Sequence, residues 1–433
     1  MNRPDDVIVV GGGIAGLVAA RELAIGGLAV TVCEASESLG GRVARHTVAG
    51  IDLDAGAESF ATRGDTVADF LTELGLGQAI VSPNQVGAWL KPAQGPAVPM
   101  PATGLLGIPA TPLARGVIAA TGLLGALRAQ ADVILPRRVG ATSTTLAELV
   151  RVRMGQRVLD RLVAPVVTGI HSRNPDTLDA DVVAPGLRTA LADAGSLSGA
   201  VRSLRQSTPG SAVGGLRGGM YLLVEALHAD LLARGVRIRT HARATGVTAR
   251  QVTLATGEQL AARAVVLATP LGSESTDVSI VIATLVVDSA GLDDAPRGTG
   301  LLVAAGTPGI RAKALTHASA KWPWLAATLP AHRHVLRLSY NNTGNNLPEA
   351  ALADIARVDA ENLLGVPLAA QDVHGFARVV WPIRHDPVAR RDGVWQVGEG
   401  VASTGLAAVI SQARTESESV RRALTPRQEK IEP

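Results

Sequence analysis

The sequence predicts an α/β fold that begins with a strand, a helix and a second strand. The apolar run VIVV at residues 7–10 predicts a buried strand, and residues 14–24 carry apolar side chains at helical spacing. The run LAVTVC at residues 28–33 predicts a second strand. A glycine-rich turn separates the first strand from the helix. Strand, helix and strand in this order make a βαβ unit, which is the building block of a parallel sheet.

Helical and extended patterns are mixed along the rest of the chain. Residues 115–200 have a mostly helical pattern, and short strands separated by turn residues follow residue 236. Further helices are predicted at 66–75, 220–233, 349–364 and 405–424. Further strands are predicted at 278–287, 300–304 and 394–398, with a hairpin near 333–340. The charged residues 425–433 predict a frayed tail.

The composition excludes several classes of protein. A chain of 433 residues predicts two or three domains, and a hydrophobic fraction of 47% excludes a mainly disordered chain. Lys and Arg number 41 against 38 Asp and Glu, which is too even a balance for a nucleic-acid-binding protein. Aromatic residues make up only 2%, so stacking platforms for bases are not expected either. We therefore expect no nucleic acid among the partners.

The cysteine and histidine content indicates whether a metal site or a disulfide is expected, and the apolar segments indicate whether the chain could span a membrane. Cys33 is the single cysteine, so the chain can form neither an internal disulfide nor a cysteine zinc site. The histidines show no HExxH spacing, and no metal site is predicted. A reducing, cytoplasmic location suits this composition. No transmembrane segment is expected, because residues 92–114 contain six prolines and residues 116–127 are too few to span a bilayer. Peripheral membrane contact stays open.

The glycine turn has the spacing of a phosphate-binding loop. Gly11, Gly13 and Gly16 form a GxGxxG frame between the first strand and the helix. The first glycine permits the tight turn, the second lets backbone approach a pyrophosphate, and the third allows close packing of helix and strand. Ile14 and Ala15 begin the helix, whose free N–H groups can bind phosphate. We predict that these five residues bind a dinucleotide.

An acidic residue and a second glycine pair refine the cofactor. Glu34 follows the second strand and can accept a hydrogen bond from the ribose 2′-OH of a dinucleotide. The run EASESLGGRV (34–43) resembles the segment after the ribose acid in flavoproteins of the amine-oxidase superfamily. That resemblance implies that Gly41 and Arg42 contact FAD. The alternative for Arg42 is a surface salt bridge. The cofactor prediction is therefore FAD, bound non-covalently, rather than NAD.

Further segments resemble one family within that superfamily, in the same order along nearly the whole chain. It is the FAD-dependent protoporphyrinogen/coproporphyrinogen oxidase family of haem biosynthesis, of the soluble Gram-positive type. The segments are DAGAESFATRGDTVADFLTELGLG (54–77), GLLGIPATPLARGV (104–117), RLVAPVVTGIHSRNPDTL (161–178), LRGGMYLLVEAL (216–227), AVVLATP (264–270), KALTHASAKWPWL (313–325) and GEGVASTGLAAVISQAR (398–414).

The resemblance implies a domain organisation. It implies a Rossmann-like FAD-binding domain of the amine-oxidase/p-hydroxybenzoate hydroxylase type, with a mixed-sheet substrate domain and a helical insertion. The expected FAD-binding parts are 1–80, 206–275 and 381–424. The helical and substrate region is expected at 81–205, the substrate domain at 276–380, and the tail at 425–433.

The resemblance also implies contacts in the later segments. Gly398 and Glu399 belong to the C-terminal flavin segment, and Gly405 and Leu406 are expected at a helix N-terminus facing the isoalloxazine or the pyrophosphate. Val247 is expected to place backbone groups near the adenine.

Two substrate residues are implied. The Gly169 carbonyl is expected to meet a pyrrole N–H, and Arg63 is a candidate for a substrate propionate. The alternative for Arg63, a solvated arginine beside Asp65, is equally plausible. FAD carries the oxidation and dioxygen is the expected acceptor, so no catalytic acid or base is predicted. Because further arginines lie at 115, 128, 137 and 138, coproporphyrinogen III is preferred over protoporphyrinogen IX as substrate.

The chain also departs from the family pattern. The stretches at 270–278 and 381–398 are shorter than the family pattern leads us to expect, and this puts activity in question. Two other hypotheses stay open. One is a different flavin amine-oxidase-type enzyme acting on an amine or alkene, and the other is a non-catalytic flavin- or porphyrin-binding relative. The oligomeric state does not follow from the sequence.

Overall fold

The structure is a computed structural model of the chain. It describes residues 5–62, 64–101, 104–171, 174–204, 213–271, 279–341, 347–382, 391–398, 401 and 405–425.

In chain order the strands are β1 Asp5–Val10, β2 Val30–Cys33, β3 Arg45–Val48, β4 Ile51–Asp54, β5 Phe60–Ala61, β6 Ile80–Val81, β7 Trp89–Lys91, β8 Val98–Pro99, β9 Gly104–Leu105, β10 Ile108–Pro109, β11 Val213–Leu216, β12 Arg237–Arg239, β13 Ala244–Val247, β14 Gln251–Leu254, β15 Gln259–Leu267, β16 Ser279–Asp288, β17 Gly300–Val303, β18 Ala314–His317, β19 Arg333–Asn341, β20 Val373–Pro382 and β21 Trp395–Gln396.

The helices are numbered in the same way. They are α1 Ile14–Ile25, α2 Thr66–Glu73, α3 Arg115–Gln130, α4 Leu146–Met154, α5 Gln156–Val158, α6 Ala164–His171, α7 Ala180–Val183, α8 Leu187–Ala194, α9 Leu197–Leu204, α10 Leu222–Ala233, α11 Ala318–Lys321, α12 Pro323–Ala326, α13 Glu349–Leu364 and α14 Leu406–Leu424. A π-helical turn, Leu159–Val163, joins α5 to α6, and a 3-10 turn, Ala131–Ile134, follows α3.

The chain divides into two compact units. Unit 1 collects residues 1–83, 211–279 and 381–433, and unit 2 holds residues 84–210 and 280–380. Unit 1 thus brings together the three segments that were assigned to FAD binding. Unit 2 holds the helical and the substrate segments in one body, although the sequence analysis treated them separately.

Unit 1 is built on a mixed sheet with a parallel part of the Rossmann type, to which β14 and β13 add antiparallel strands. The strand order is β12-β2-β1-β15-β14-β13, with β21 beside β15, and β1 pairs in parallel with both β2 and β15. Alternate residues of β1 enter two different cores: Val7 and Val9 pack with α1, and Ile8 and Val10 pack with the β14–β15 side. A strand covered on both faces needs apolar residues at every position, which explains the run VIVV.

Unit 2 combines a mixed sheet with a helical layer. The strand order is β20-β16-β19-β18-β17-β7-β8, in which β17 and β7 are parallel and the other neighbours described by register are antiparallel. Helix α13 packs on this sheet through Leu352, Ala356 and Leu363. Helices α3 to α9 share a second core with β10. The predicted fold class, an α/β FAD domain with a mixed-sheet domain and helices, is confirmed.

One predicted element is wrong. Residues 333–340 were expected to form a hairpin, but β19 runs unbroken from Arg333 to Asn341 and pairs antiparallel with β16 on one side and β18 on the other. The segment RHVLRLSYN contains neither glycine nor proline, so nothing in it favours a turn. Its apolar side chains are buried because β19 is a central strand.

Candidate functional site

Two adjoining cavities in unit 1 form the candidate site. The larger has a volume of about 750 Å³ and the smaller about 330 Å³. Both are bordered by Gly11, Glu34, Thr269 and Pro270, so together they make one elongated site at the carboxyl ends of β1, β2 and β15. Ligands bind at this edge in parallel α/β sheets, because the helices that follow the strands begin there.

The glycine turn lines the larger cavity. Gly11 has a φ of +109°, which an L side chain rarely adopts. A Cβ on Gly16 would lie 1.9 Å from the Gly11 carbonyl oxygen, so only glycine lets α1 pack this closely on the turn. A Cβ on Gly13 would meet no atom within 4 Å. The turn therefore leaves open space next to Gly13, where a phosphate can approach the backbone.

Two helix N-termini border the same cavity. Helix α1 begins after Gly13 and α14 begins after Gly405, and the cavity is lined by Ile14 and Leu406 among others. Neither helix has a side-chain cap or an acidic residue in its first turn. Their first N–H groups and positive dipole ends thus favour an anionic group in the cavity.

Glu34 is held by donors on the loops around it. Its Oε2 accepts from the Gly12 N–H at 2.6 Å, and its Oε1 accepts from the Ser36 N–H at 2.8 Å and the Ser36 hydroxyl at 2.7 Å. Oε1 thus accepts two hydrogen bonds, and Oε2 still has a lone pair to offer. The carboxylate is therefore fixed in place at the border of both cavities, where it can accept a hydroxyl of a ribose.

The second glycine pair forms a wall of the larger cavity. Gly40 has a φ of +104°, and a Cβ there would lie 2.8 Å from Val224 on α10. A Cβ on Gly41 would lie 3.5 Å from the Gly13 Cα, so the two glycine segments approach each other closely. Arg42 donates from its guanidinium to the Pro382 carbonyl at 2.7 Å. This bond ties the first segment of unit 1 to the third.

The smaller cavity lies beside the second segment. It is lined by Ala242, Arg243, Ala244 and Thr245. The Ala242 N–H donates to the Glu34 carbonyl, which places this segment next to the end of β2. Val247 is not among the lining residues and packs in the core behind the sheet. The cavity thus meets the start of β13 rather than its end.

The third segment closes the larger cavity. Gly398 has a φ of +102°, and its N–H donates to Gln412 Oε1 on α14. The Gln412 amide in turn donates to the Gln396 carbonyl, so α14 fixes the loop that follows β21. Gly398, Gly405 and Leu406 all line the cavity. Glu399 lies outside the described residues.

The lining side chains suit binding more than proton transfer. The ionisable groups among the lining residues that the structure describes are Cys33, Glu34, Arg42 and Arg243. Burial raises the pKa of the Cys33 thiol to about 11, so this cysteine is a neutral thiol at physiological pH. A long site with a fixed carboxylate where its two cavities meet, and with two helix N-termini, fits a dinucleotide such as FAD.

Comparison with known proteins decides the family. Residues 14–280, more than half of the chain, match the family of flavin containing amine oxidoreductases. The chain belongs to this family. The predicted cofactor FAD and the predicted class, a flavin-dependent oxidoreductase, are confirmed with it.

Individual members of the flavin-containing amine oxidoreductase family align along most of the chain. Coproporphyrinogen III oxidase of Mycobacterium tuberculosis is 28% identical and covers 95% of this chain and 90% of its own length. The Staphylococcus aureus protein of the same name is 26% identical, with coverages of 83% and 84%. A solved structure from Exiguobacterium sp. 255-15, provisionally described as a protoporphyrinogen oxidase, has a TM-score of 0.81 at 23% identity and covers 98% of this chain and all of its own.

Amine-oxidising members share the fold less closely. Cyclohexylamine oxidase from Brevibacterium oxydans has a TM-score of 0.63 at 16% identity, with 98% of this chain covered. The difference from 0.81 places this flavin-containing amine oxidoreductase nearer in fold to the Exiguobacterium structure than to the amine oxidase.

Gly169, which was predicted to contact the substrate, does not line either cavity. Gly169 is in α6 of unit 2, and a Cβ there would lie 2.6 Å from Leu302 Cδ2 on β17, so close packing of helix and strand is one reason for glycine. Arg63 lies outside the described residues. Of the other candidate arginines, Arg128 donates to the Arg153 and Val152 carbonyls and Arg137 donates to the Ala192 carbonyl.

Some residues of the site were not named among the residues predicted from the sequence. Thr269 and Pro270 border both cavities, and Ala242 and Arg243 line the smaller one. The signal for the first pair was present, because both follow directly after β15, at the edge where parallel strands place their ligands. No comparable signal marks Ala242, since its position depends on how β12 pairs with β2.

Proposed function

We propose that this protein is an FAD- and dioxygen-dependent porphyrinogen oxidase of haem biosynthesis, with coproporphyrinogen III as its preferred substrate. The observation that carries the proposal is the alignment with coproporphyrinogen III oxidases along 95% of the chain, at 28% identity. The lining of the two cavities supports the proposal. The described lining residues can hold FAD, and they contain no paired acid and base. A cytoplasmic location is part of the proposal and rests on the single buried cysteine.

We propose a role for each segment of unit 1 that lines the two cavities. The backbone around Gly13 and the N-terminus of α1 bind the pyrophosphate, and Glu34 binds the ribose. The segment that begins at Ala242 contacts the adenine, in place of Val247. The N-terminus of α14, with Gly405, faces the flavin end. These roles follow from the lining of the two cavities and from the open space beside Gly13.

The chemistry demands orientation more than reactive side chains. When bound, FAD supplies the two-electron acceptor and is reoxidised by dioxygen. Conversion of a porphyrinogen to a porphyrin removes six electrons, so three dioxygen molecules become three hydrogen peroxide molecules. The chain's own residues hold the cofactor, orient the substrate and exclude water. Gly169 and Arg63 remain the predicted substrate contacts.

The preference for coproporphyrinogen III rests on charge. This porphyrinogen carries four propionates and protoporphyrinogen IX carries two. A guanidinium binds a carboxylate through two hydrogen bonds, and the chain is rich in arginine. Arg115, Arg128, Arg137 and Arg138 are all exposed, and Arg128 and Arg137 also donate to backbone carbonyls.

Turnover of the two porphyrinogens tests the proposal. The purified holoprotein is incubated aerobically with each porphyrinogen, and porphyrin fluorescence is followed against the autoxidation blank. We expect a higher kcat/KM for coproporphyrinogen III. Added salt should raise KM more for coproporphyrinogen III than for protoporphyrinogen IX, because screening weakens ion pairs. A Gly13→Val variant without flavin is the matched control and should equal the blank.

Two outcomes would change the proposal. A higher kcat/KM for protoporphyrinogen IX at the same ionic strength would reverse the choice of substrate. No turnover of either porphyrinogen by a protein that holds FAD would contradict the enzyme and favour a non-catalytic flavin- or porphyrin-binding relative. The shortened stretches at 270–278 and 381–398 make this second outcome worth a direct test.

A further inference from the structure

Unit 2 contains a chain of hydrogen bonds between histidines that lies outside the candidate site. His317 ends β18, His334 lies in β19, and Asp293 follows the 3-10 turn Ala290–Leu292. Helix α11 contributes Ser319. The histidine network, as these residues are called together, consists of Asp293, His317, Ser319, His332 and His334. It connects two neighbouring strands to the segment 318–332 that joins them.

The histidine network runs from an exposed carboxylate to a fully buried ring. His332 Nδ1 lies 2.6 Å from Asp293 Oδ2, and His334 Nε2 lies 3.1 Å from Asp293 Oδ1. His334 Nδ1 lies 3.1 Å from His317 Nε2 and 3.5 Å from the Ser319 hydroxyl. The Asp293 side chain is 41% exposed and that of His334 is 11% exposed, whereas His317 has no exposed surface. Solvent therefore reaches the network at its Asp293 end.

The carboxylate determines which ring nitrogens carry a hydrogen. A hydrogen bond from His332 lowers the pKa of Asp293, so this carboxylate is ionised at neutral pH and can only accept. Neutral His334 therefore carries its hydrogen on Nε2, and its Nδ1 is an acceptor. It follows that His317 donates from Nε2 to His334 Nδ1. His317 Nδ1 is then a buried acceptor that meets no partner among the residues that the structure describes.

An additional proton does not fit this arrangement. Protonation of His334 places a hydrogen on Nδ1, where it meets the Nε2–H of His317. His317 could carry its hydrogen on Nδ1 instead, but that buried donor would meet no described acceptor, which is costly. Burial, with a smaller contribution from His334, lowers the pKa of His317 to about 3. Burial also lowers the pKa of His334, although Asp293 opposes this effect.

The other ionisable groups on the elements around the network have contacts of their own or lie on the opposite face of the sheet. Asp288 at the end of β16 pairs with Arg333 and with His374 of β20. Arg333 and Arg337 lie on the opposite face of β19 from His334, because side chains alternate along a strand. Lys321 of α11 lies over the Trp322 ring, and Asp359 of α13 accepts from the Tyr340 hydroxyl. Asp293, His332 and the neutral Ser289 carbonyl are the groups that act on His334.

We infer that the histidine network is a pH-sensitive switch, which holds α11 and α12 on the sheet of unit 2 at neutral pH and releases them in acid. The Ser319 hydroxyl accepts from the Val335 N–H at 3.2 Å, and Trp322 between the two helices is buried, so release would break these contacts. In the released state both rings are in water and take up protons near the ordinary histidine pKa of about 6.5. The released state then binds more protons, so a fall in pH below about 6.5 favours it. The inference concerns unit 2 only and does not depend on the proposed oxidase activity.

Hydrogen exchange measured by mass spectrometry tests the inference with the full-length holoprotein. Exchange of the backbone amides in 318–331 is followed between about pH 7.5 and pH 5 and corrected for the pH dependence of the intrinsic exchange rate. We expect the opening constant of this segment to rise about tenfold for each pH unit below about 6.5, because release takes up at least one proton. The amides of 281–287 in β16 should stay more protected at every pH.

His317→Gln separates the switch from a general effect of acid. Glutamine does not titrate, and its amide oxygen can accept from Nδ1 of protonated His334. We therefore expect the opening constant of this variant to change less than about threefold for each pH unit. His374→Gln is the matched control, because His374 is exposed on β20 and pairs with Asp288 in the same unit. It should keep the parental pH dependence.

Asp293→Asn provides a second variant that leaves the two buried rings intact. Loss of the carboxylate should raise the opening constant several-fold at pH 7.5, and the rise in acid should persist because the ring pair still excludes a proton. Far-ultraviolet circular dichroism shows whether each variant is folded. If His317→Gln does not fold, the comparison of Asp293→Asn with the parent decides, and an unchanged opening constant at pH 7.5 contradicts the inference.

Four results would overturn the inference. They are an opening constant of 318–331 that does not depend on pH, a parental pH dependence in folded His317→Gln, a loss of pH dependence in His374→Gln, and acid exchange of 281–287 as fast as that of 318–331. The last result would mean that acid unfolds the whole sheet and not one segment.

Discussion

The Gly12 backbone N–H donates a hydrogen bond to Glu34 Oε2 at 2.6 Å and thereby joins the glycine turn to the end of β2. A Cβ on Gly12 would lie 3.1 Å from the same oxygen, so the two residues are in close contact. Ser36 holds the other oxygen. The carboxylate is therefore oriented before any ligand binds, which lowers the cost of binding a ribose.

Replacement of Glu34 by alanine is expected to weaken FAD more than it destabilises the fold. Loss of a charge-assisted hydrogen bond should cost about 1.5–3 kcal/mol of binding, which is roughly tenfold to a hundredfold in Kd. Flavin titration of the apoprotein measures the Kd, and chemical denaturation measures stability. Glu37→Ala, an exposed position in the same loop, is the control. An unchanged Kd for Glu34→Ala would show that Glu34 does not contact the cofactor.

Gly13→Val should give a folded but colourless protein. Gly13 has an extended backbone with φ −74° and ψ 175°, which valine adopts readily, and its Cβ would meet no protein atom within 4 Å. The side chain would instead occupy the space proposed for a phosphate. Visible absorbance measures flavin content, and thermal denaturation of the apoprotein measures stability. A variant that stays yellow with full occupancy refutes the assignment of this turn.

Gly16→Ala should destabilise the apoprotein, whereas Gly13→Val should leave its stability nearly unchanged. Its Cβ would lie 1.9 Å from the Gly11 carbonyl oxygen, so the backbone must shift. We expect a loss of about 3 kcal/mol or more in the free energy of unfolding of the apoprotein. Chemical denaturation without flavin checks this. Equal stability of the two variants would contradict the close contact between Gly16 and the Gly11 carbonyl oxygen.

Arg153→Met should strongly destabilise the protein. It leaves the Asp132 carboxylate buried without its cation, and loss of one partner of a buried pair typically costs about 3–5 kcal/mol. Arg151→Met on the same helix removes a half-exposed pair with Asp176 and should cost at most about 1 kcal/mol. Chemical denaturation gives both values. The double variant Asp132→Asn/Arg153→Met should lose less than the sum of its single variants, and strict additivity would contradict the pairing.

Burial of Lys313 is expected to make the free energy of unfolding depend on pH. Burial lowers the pKa of its ammonium from the ordinary value of 10.5 to about 8. The unfolded chain therefore holds an extra proton between about pH 8 and 10.5, so this residue makes stability rise with pH across that interval. Lys313→Met should raise the free energy of unfolding at pH 7 by about 1–3 kcal/mol and flatten the rise. Lys313→Arg, which stays charged, should lower stability throughout. A parental rise that persists in Lys313→Met would contradict the assignment to this residue.

Much of the nucleotide-binding region follows from local sequence. The turn from Gly11 to Gly16 has few alternatives, because it combines a positive φ with a close contact between helix and strand. Helix α13 begins and ends at the predicted residues 349 and 364, since apolar spacing and Gly365 mark it clearly. Such features depend on neighbours within one or two turns of chain.

Pairing between distant strands was harder to predict. The family resemblance placed Val247 near the adenine, which stays a prediction, and the smaller cavity is lined by Ala242 to Thr245. The reason is the parallel register of β12 with β2, which brings the Ala242 N–H to the Glu34 carbonyl. The Val247 prediction came from the resemblance of a short strand, and such a resemblance does not fix how that strand pairs with distant ones.

The sequence by itself determined the family, the glycine turn and the position of Glu34 at the end of β2, because a spacing of glycines and a carboxylate at a strand end are local properties. Only the tertiary structure decided which apolar side chains are covered. Leu124 and Leu149 are the same residue type in neighbouring helices, yet Leu124 is exposed and Leu149 is fully buried. Burial depends on segments that are distant in the chain: Leu149 packs in a core that is shared by β10 and helices α3 to α9.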